Sequence, residues 1–144
     1  MHSYLYLMDI LKNGHEFDAG WHHDSIDRAH EEIHGLELKK DVCSVENWVW
    51  VDIDVTEEKW SQVIRGDQNC LLPAFLFSSS VIHDEAGRFI KGSYVRTSLL
   101  QAFHEGYIFE TKNTVYCLIG TGKRCSVSLK EADYIFHLGS LEYM

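Results

Sequence analysis

The chain has 144 residues, 45% hydrophobic and 12% aromatic, enough to bury a core and too apolar for a disordered acidic tail. Its formal net charge is −9 with no basic stripe, which disfavours direct nucleic-acid binding. All of that excess lies in one half: residues 1–72 hold fifteen carboxylates against six Lys/Arg, and residues 73–144 hold seven against seven.

The apolar run Tyr4–Leu11 has no basic residues before it and is too short to span a bilayer, so it reads as a strand or helical turn of a cytosolic, non-membrane protein. Asn13-Gly14 ends it, and Gly14–Trp21 reads as loop. Asp24 or Ser25 can cap a helix over 25–34, with Asp27 in its first turn, Ile26, Ala29 and Ile33 on one face and Gly35 as its stop. Cys43–Val55 alternates as a strand, with Val49, Val51, Ile53 and Val55 opposite Trp48, Trp50, Asp52 and Asp54. Thr56 caps a short helix carrying Trp60, Val63 and Ile64 up to Gly66.

Pro73 opens a strand to Ile82, Asp84–Gly87 turns it, and Arg88–Thr97 returns as the second arm of a hairpin. Ser98-Leu99-Leu100-Gln101 has the capping-box pattern and predicts a helix ending at Gly106. Tyr107–Glu110 and Thr114–Ile119 read as strands. Gly120-Thr121-Gly122-Lys123 reads as a hairpin turn into a strand over Arg124–Val127. A second capping box, Ser128 to Glu131, opens a C-terminal helix with Ala132, Ile135 and Phe136 inward. The expectation is a single α+β domain over 1–144: an acidic, His-rich helical region over 1–40, then a sheet core with its C-terminal helix over 43–137. Its antiparallel sheet would have about five strands with short flanking helices.

Four cysteines, Cys43, Cys70, Cys117 and Cys125, are scattered and read as free, mostly buried thiols. His30-Glu31-Glu32-Ile33-His34 is an H-E-x-x-H motif, whose histidines share a helix face and can reach one zinc while the glutamate acts as base. His15, His22, His23 and Glu37 are near in sequence as further ligands. The predicted helix is short and polar around the pair, and its inward stripe leaves His30 and His34 toward solvent. The expectation is therefore no cofactor, with a zinc-dependent hydrolase on His30, Glu31 and His34 as an alternative.

Arg96-Thr97-Ser98 precedes a predicted helix N-terminus, where free N–H groups with Arg96, Arg88 or Lys91 could hold an anion. Gly120–Arg124 is similar to a phosphate loop but lacks its first glycine and leads into a strand. Trp48 and Trp50 share a face with Asp52 and Asp54. With Glu57, Glu58, Asp27 and Glu31 they make a candidate surface for a basic partner.

Several motifs occur in order from Cys43 onward: Cys43-Ser44-Val45-Glu46-Asn47-Trp48-Val49-Trp50, Gly87-Arg88-Phe89, Val95-Arg96-Thr97-Ser98-Leu99-Leu100, Phe109-Glu110-Thr111-Lys112-Asn113-Thr114-Val115-Tyr116 and Gly120–Arg124. In these the chain resembles domain-of-unknown-function family 6957, an uncharacterised family of small bacterial and phage proteins. The resemblance implies no catalytic residues, and it leaves the H-E-x-x-H segment outside the matching stretch. Together with the acidic half, it leads to the expectation of a non-enzymatic inhibitor in bacterial conflict. Such a protein would cover a basic surface of a nucleic-acid-binding defence complex, as an anti-CRISPR-type protein does, or neutralise a toxin as an immunity protein.

Overall fold

Trp48-Val49-Trp50-Val51 gives a strand two apolar faces, and such a strand is stable only between two covering layers. The computed structural model describes residues 12–23, 25–59 and 73–136 and builds its sheet around that strand. In chain order its elements are β1 (His15–Phe17), α1 (Ile26–Gly35), β2 (Asp41–Asp54), β3 (Ala74–Asp84), β4 (Val95–Arg96), β5 (Ala102–His104), β6 (Ile108–Glu110), β7 (Thr114–Leu118), β8 (Gly122–Ser128) and α2 (Leu129–Phe136).

The eight strands form one curled, mixed sheet, not an antiparallel sheet of five. On one edge β2 pairs antiparallel with β3; on the other it pairs parallel with β7 and then with β8. The predicted hairpin turn at Gly120–Lys123 is therefore a jog between two strands running the same way. Four steps along β2, Val45 to Val49, match five along the partner, Leu118 to Lys123. Trp48 explains the glycine there. A Cβ on Gly122 would stand 2.3 Å from the indole, whose Nε1–H donates to the Gly120 carbonyl at 3.1 Å.

The alternation along β2 breaks once. Asn47 takes a left-handed conformation, with φ 50°, and the strand resumes with its faces exchanged. Cys43, Val45, Trp48 and Trp50 thus share the core enclosed by the curled sheet with Leu76, Phe109, Tyr116 and Leu118. Val42 packs under α1, and Val49, Val51 and Ile53 pack with α2.

Local signals held where no long-range pairing competed. Arg28 N–H donates to the Ser25 hydroxyl at the start of α1. Ser128 and Glu131 exchange both capping-box hydrogen bonds, at 2.8 and 3.0 Å, and α2 buries Ala132 and Ile135. Lys59 N–H donates to the Thr56 hydroxyl as a cap predicts, whereas Trp60, Val63, Ile64 and Gly66 lie outside the described residues, as do Tyr4–Leu11, Asp24 and Cys70.

Three further expectations failed in whole or in part. The predicted loop Gly14–Trp21 contains β1, which pairs with β8. The return arm predicted over Arg88–Thr97 runs antiparallel to β3 but forms a regular ladder only at Val95–Arg96, with single backbone hydrogen bonds at Gly92, Ser93 and Thr97. The helix predicted from Ser98 is absent: Leu100 N–H donates to the Ala74 carbonyl, Gln101 N–H to that of Glu110, and β5 pairs with β6. Sheet pairing and burial of Leu100 outweigh the local capping pattern.

Candidate metal centre

Helix α1 is pinned by Ala29 and Ile33, both buried against Val42, Val115 and Cys117. This anchoring brings the helix close enough to β2 that the His30 ring reaches Ser44 and keeps only 13% of its side chain exposed. The expectation that both motif histidines face solvent is therefore corrected for His30; His34, one turn on, is 56% exposed.

The third group comes from the turn after β3. Asp84 builds that turn: its buried carboxylate accepts from the backbone N–H groups of Ala86, Arg88 and Phe89 and from the Arg88 guanidinium, at 2.8–3.2 Å. Glu85 is then locked to β2 twice, by its N–H donating to the Val42 carbonyl (3.0 Å) and by its Oε1 accepting from Val42 N–H (2.8 Å). Its other oxygen, Oε2, lies 2.7 Å from His34 Nε2 and 3.4 Å from His30 Nδ1. Burial alone would raise the Glu85 carboxyl, but the Val42 N–H, His34 and His30 lower it more, so it stays an ionised carboxylate.

One donor atom from each of His30, His34 and Glu85 thus lies within 4.8 Å of the other two. Donors around a tetrahedral zinc stand about 3.3 Å apart, given metal bonds of roughly 2.0–2.1 Å. The contacts of Glu85 Oε2, 2.7 Å to His34 and 3.4 Å to His30, bracket that spacing. The partners behind the donors also suit an ion: with an ion bound, the His30 Nε2–H can donate to Ser44 Oγ and free the Nδ1 lone pair for the metal, while Val42 orients the carboxylate. The sequence spacing alone did not find Glu85, because the turn that delivers it is 51 residues from His34.

Ser44, His30 and Glu85 also form a hydrogen-bonded chain of the nucleophile–base–acid type. Ser44 is fully buried in β2 beneath α1, out of reach of a substrate, so this chain orients His30 and performs no acyl transfer. His15, His22, His23 and Glu37 do not join the cluster among the described residues. His15 pairs in β1 with Arg124, and His23 packs on Trp21.

The other candidate sites changed. Trp48 and Trp50 are 1% and 3% exposed, which removes them from any partner surface. Asp52 is held by the Arg124 guanidinium at 2.7 and 3.0 Å and accepts from Trp50 Nε1 at 3.0 Å, so it is part of the fold. Asp27, Glu31, Asp54, Glu57 and Glu58 are exposed. The anion reading of Arg96, Thr97 and Ser98 does not survive, because the helix that was to supply N–H groups is not there. Arg96 is buried on the Phe136 ring at 3.8 Å and donates to the Thr97 carbonyl, and the Thr97 hydroxyl accepts from Leu76 N–H and donates to the Ser98 carbonyl. Cys43, Cys117 and Cys125 are free, and burial pushes the thiols of the first two up to about 12, out of reach of thiolate chemistry.

No curated protein and no solved structure matches the chain. A family model described as a domain of unknown function, DUF6957, matches residues 18–133. That match takes in α1, so the H-E-x-x-H segment lies inside the family domain and not outside it as expected. From its match over most of its length, the chain belongs to the DUF6957 family.

Proposed function

We propose that this domain binds one divalent transition-metal ion, of which zinc suits the donors best, at His30, His34 and Glu85. The ion holds α1 against the sheet and performs no hydrolysis. The observation that carries this reading is the convergence of two imidazoles from α1 and one ionised carboxylate from the turn after β3, with His30 and Glu85 each held from behind by a hydrogen bond to β2. Two nitrogens and an oxygen favour zinc over magnesium or calcium, which prefer all-oxygen sites. The exposed Glu31 has no supporting contact of the kind that fixes Glu85. Calorimetric titration of chelator-treated protein with Zn2+ is expected to give one site, weakened at least about tenfold in Glu85→Gln and in His34→Ala. Absence of stoichiometric binding, or binding unchanged in both variants, overturns the reading.

A second reading concerns the surface. The −9 charge and the exposed carboxylates of Asp54, Glu57, Glu58, Asp27 and Glu31 support binding of a basic, cytosolic protein partner. An inhibitor of a defence complex, or an immunity protein against a toxin, would use such a face. Trp48, Trp50 and Asp52 take no part in it.

A further inference from the structure

We infer that His83 is the fourth ligand of this centre, which makes the site closed and four-coordinate; this rests on the metal reading above. In the antiparallel β2–β3 ladder His83 stands directly opposite Ser44, and directly opposite residues share a sheet face. Ser44 is the residue that holds His30, so His83 rises on the side where α1 lies. Glu85 follows two residues later, in the turn, and its Oε2 lies on that same side, beside His34 and His30. The sheet therefore offers His83 and Glu85 at a spacing of two, and the helix offers His30 and His34 at a spacing of four.

The His83 ring already lies against His30, with 5.9 Å between centroids. Among the described residues it makes no hydrogen bond, and it is exposed. It is not yet one of the three converged donors, so it has to turn about its side-chain bonds. An exposed ring that makes no hydrogen bond does so on the nanosecond scale. Three histidines and one glutamate then complete a tetrahedron. A catalytic zinc keeps one position open for water, whereas a structural zinc does not. His83 thereby decides between the two and assigns this centre a structural role, with the ion joining α1 to the β3 turn.

Co2+ is the probe, because its visible spectrum reports the number and kind of ligands. The experiment uses the full chain as wild type, His83→Ala and His30→Ala, with the melting of each metal-free protein measured first. Wild type is expected to bind one Co2+ with a tetrahedral spectrum that added azide leaves unchanged. His83→Ala is expected to melt as wild type does without metal, to bind Co2+ at least about tenfold more weakly, and to show a spectrum that azide alters. Loss of binding in His30→Ala with wild-type affinity and an azide-insensitive spectrum in His83→Ala overturns the inference and leaves the three-ligand reading standing. No Co2+ binding by wild type overturns both.

Discussion

At the scale of single residues, the recurrent device is a carboxylate shared between two elements. Glu85 joins the β3 turn to β2 and α1. Glu110 does the same elsewhere: it accepts from Lys40 at 2.6 Å and lies 2.7 Å from His104 Nε2, with 13% of its side chain exposed. Burial pushes the Glu110 carboxyl up, but the Lys40 ammonium and His104 more than reverse this, and it sits below its ordinary value near 4.5. A depressed native pKa contributes stability that is fully present above the unfolded-state value and is lost as pH falls through the native one. Glu110→Gln is therefore expected to lower unfolding free energy by about 1–3 kcal/mol near pH 7, with the gap to wild type shrinking as the pH is taken to about 3. Urea unfolding at the two pH values checks this. A gap that does not change with pH contradicts it.

At the scale of elements, what was legible in the sequence divides by the range of the cause. The caps at Ser25, Thr56 and Ser128 are local hydrogen bonds between residues three apart, and each stands where the sequence placed it. Cys43–Val55 was legible as a strand from its alternation, but not as the central one, because Trp48 and Trp50 shared a face with Asp52 and Asp54 and read as a partner surface. The helix from Ser98 had an equally good local signal and does not form, because the backbone there finds partners at Ala74 and Glu110. Gly120–Lys123 looked like a hairpin turn because a glycine pair more often reverses a chain than jogs it. The contact that requires Gly122 is the Trp48 indole, 74 positions earlier. The metal centre was legible to the same degree: the His30/His34 pair is local and was visible, while Glu85 and His83 arrive through the β2–β3 register.

At the scale of the whole molecule, the charge division takes on a different meaning. Part of the acidic excess is structural, since Asp52 of the acidic half holds Arg124 of the neutral half. What remains for a partner is a smaller set near the end of β2 and on α1. Reversing Asp54, Glu57 and Glu58 to lysine is expected to weaken capture of a basic partner and to flatten its salt dependence, as measured by binding at low and high ionic strength. An unchanged salt slope would contradict the surface reading while leaving the metal centre untouched.

The centre itself ties together segments that the chain keeps far apart: α1, the start of β2 and the turn after β3. An ion there stabilises the folded state by mass action, by about 2.7 kcal/mol at a hundredfold excess over its dissociation constant. The stabilisation should be concentrated where the ion is held. Amide hydrogen exchange with and without Zn2+ reads this directly. Adding Zn2+ is expected to slow exchange over α1 and the Asp84–Arg88 turn in the wild-type protein, and not in a Glu85→Gln protein. Exchange in these two segments that is indifferent to Zn2+, or slowed equally in the variant, would contradict the metal reading.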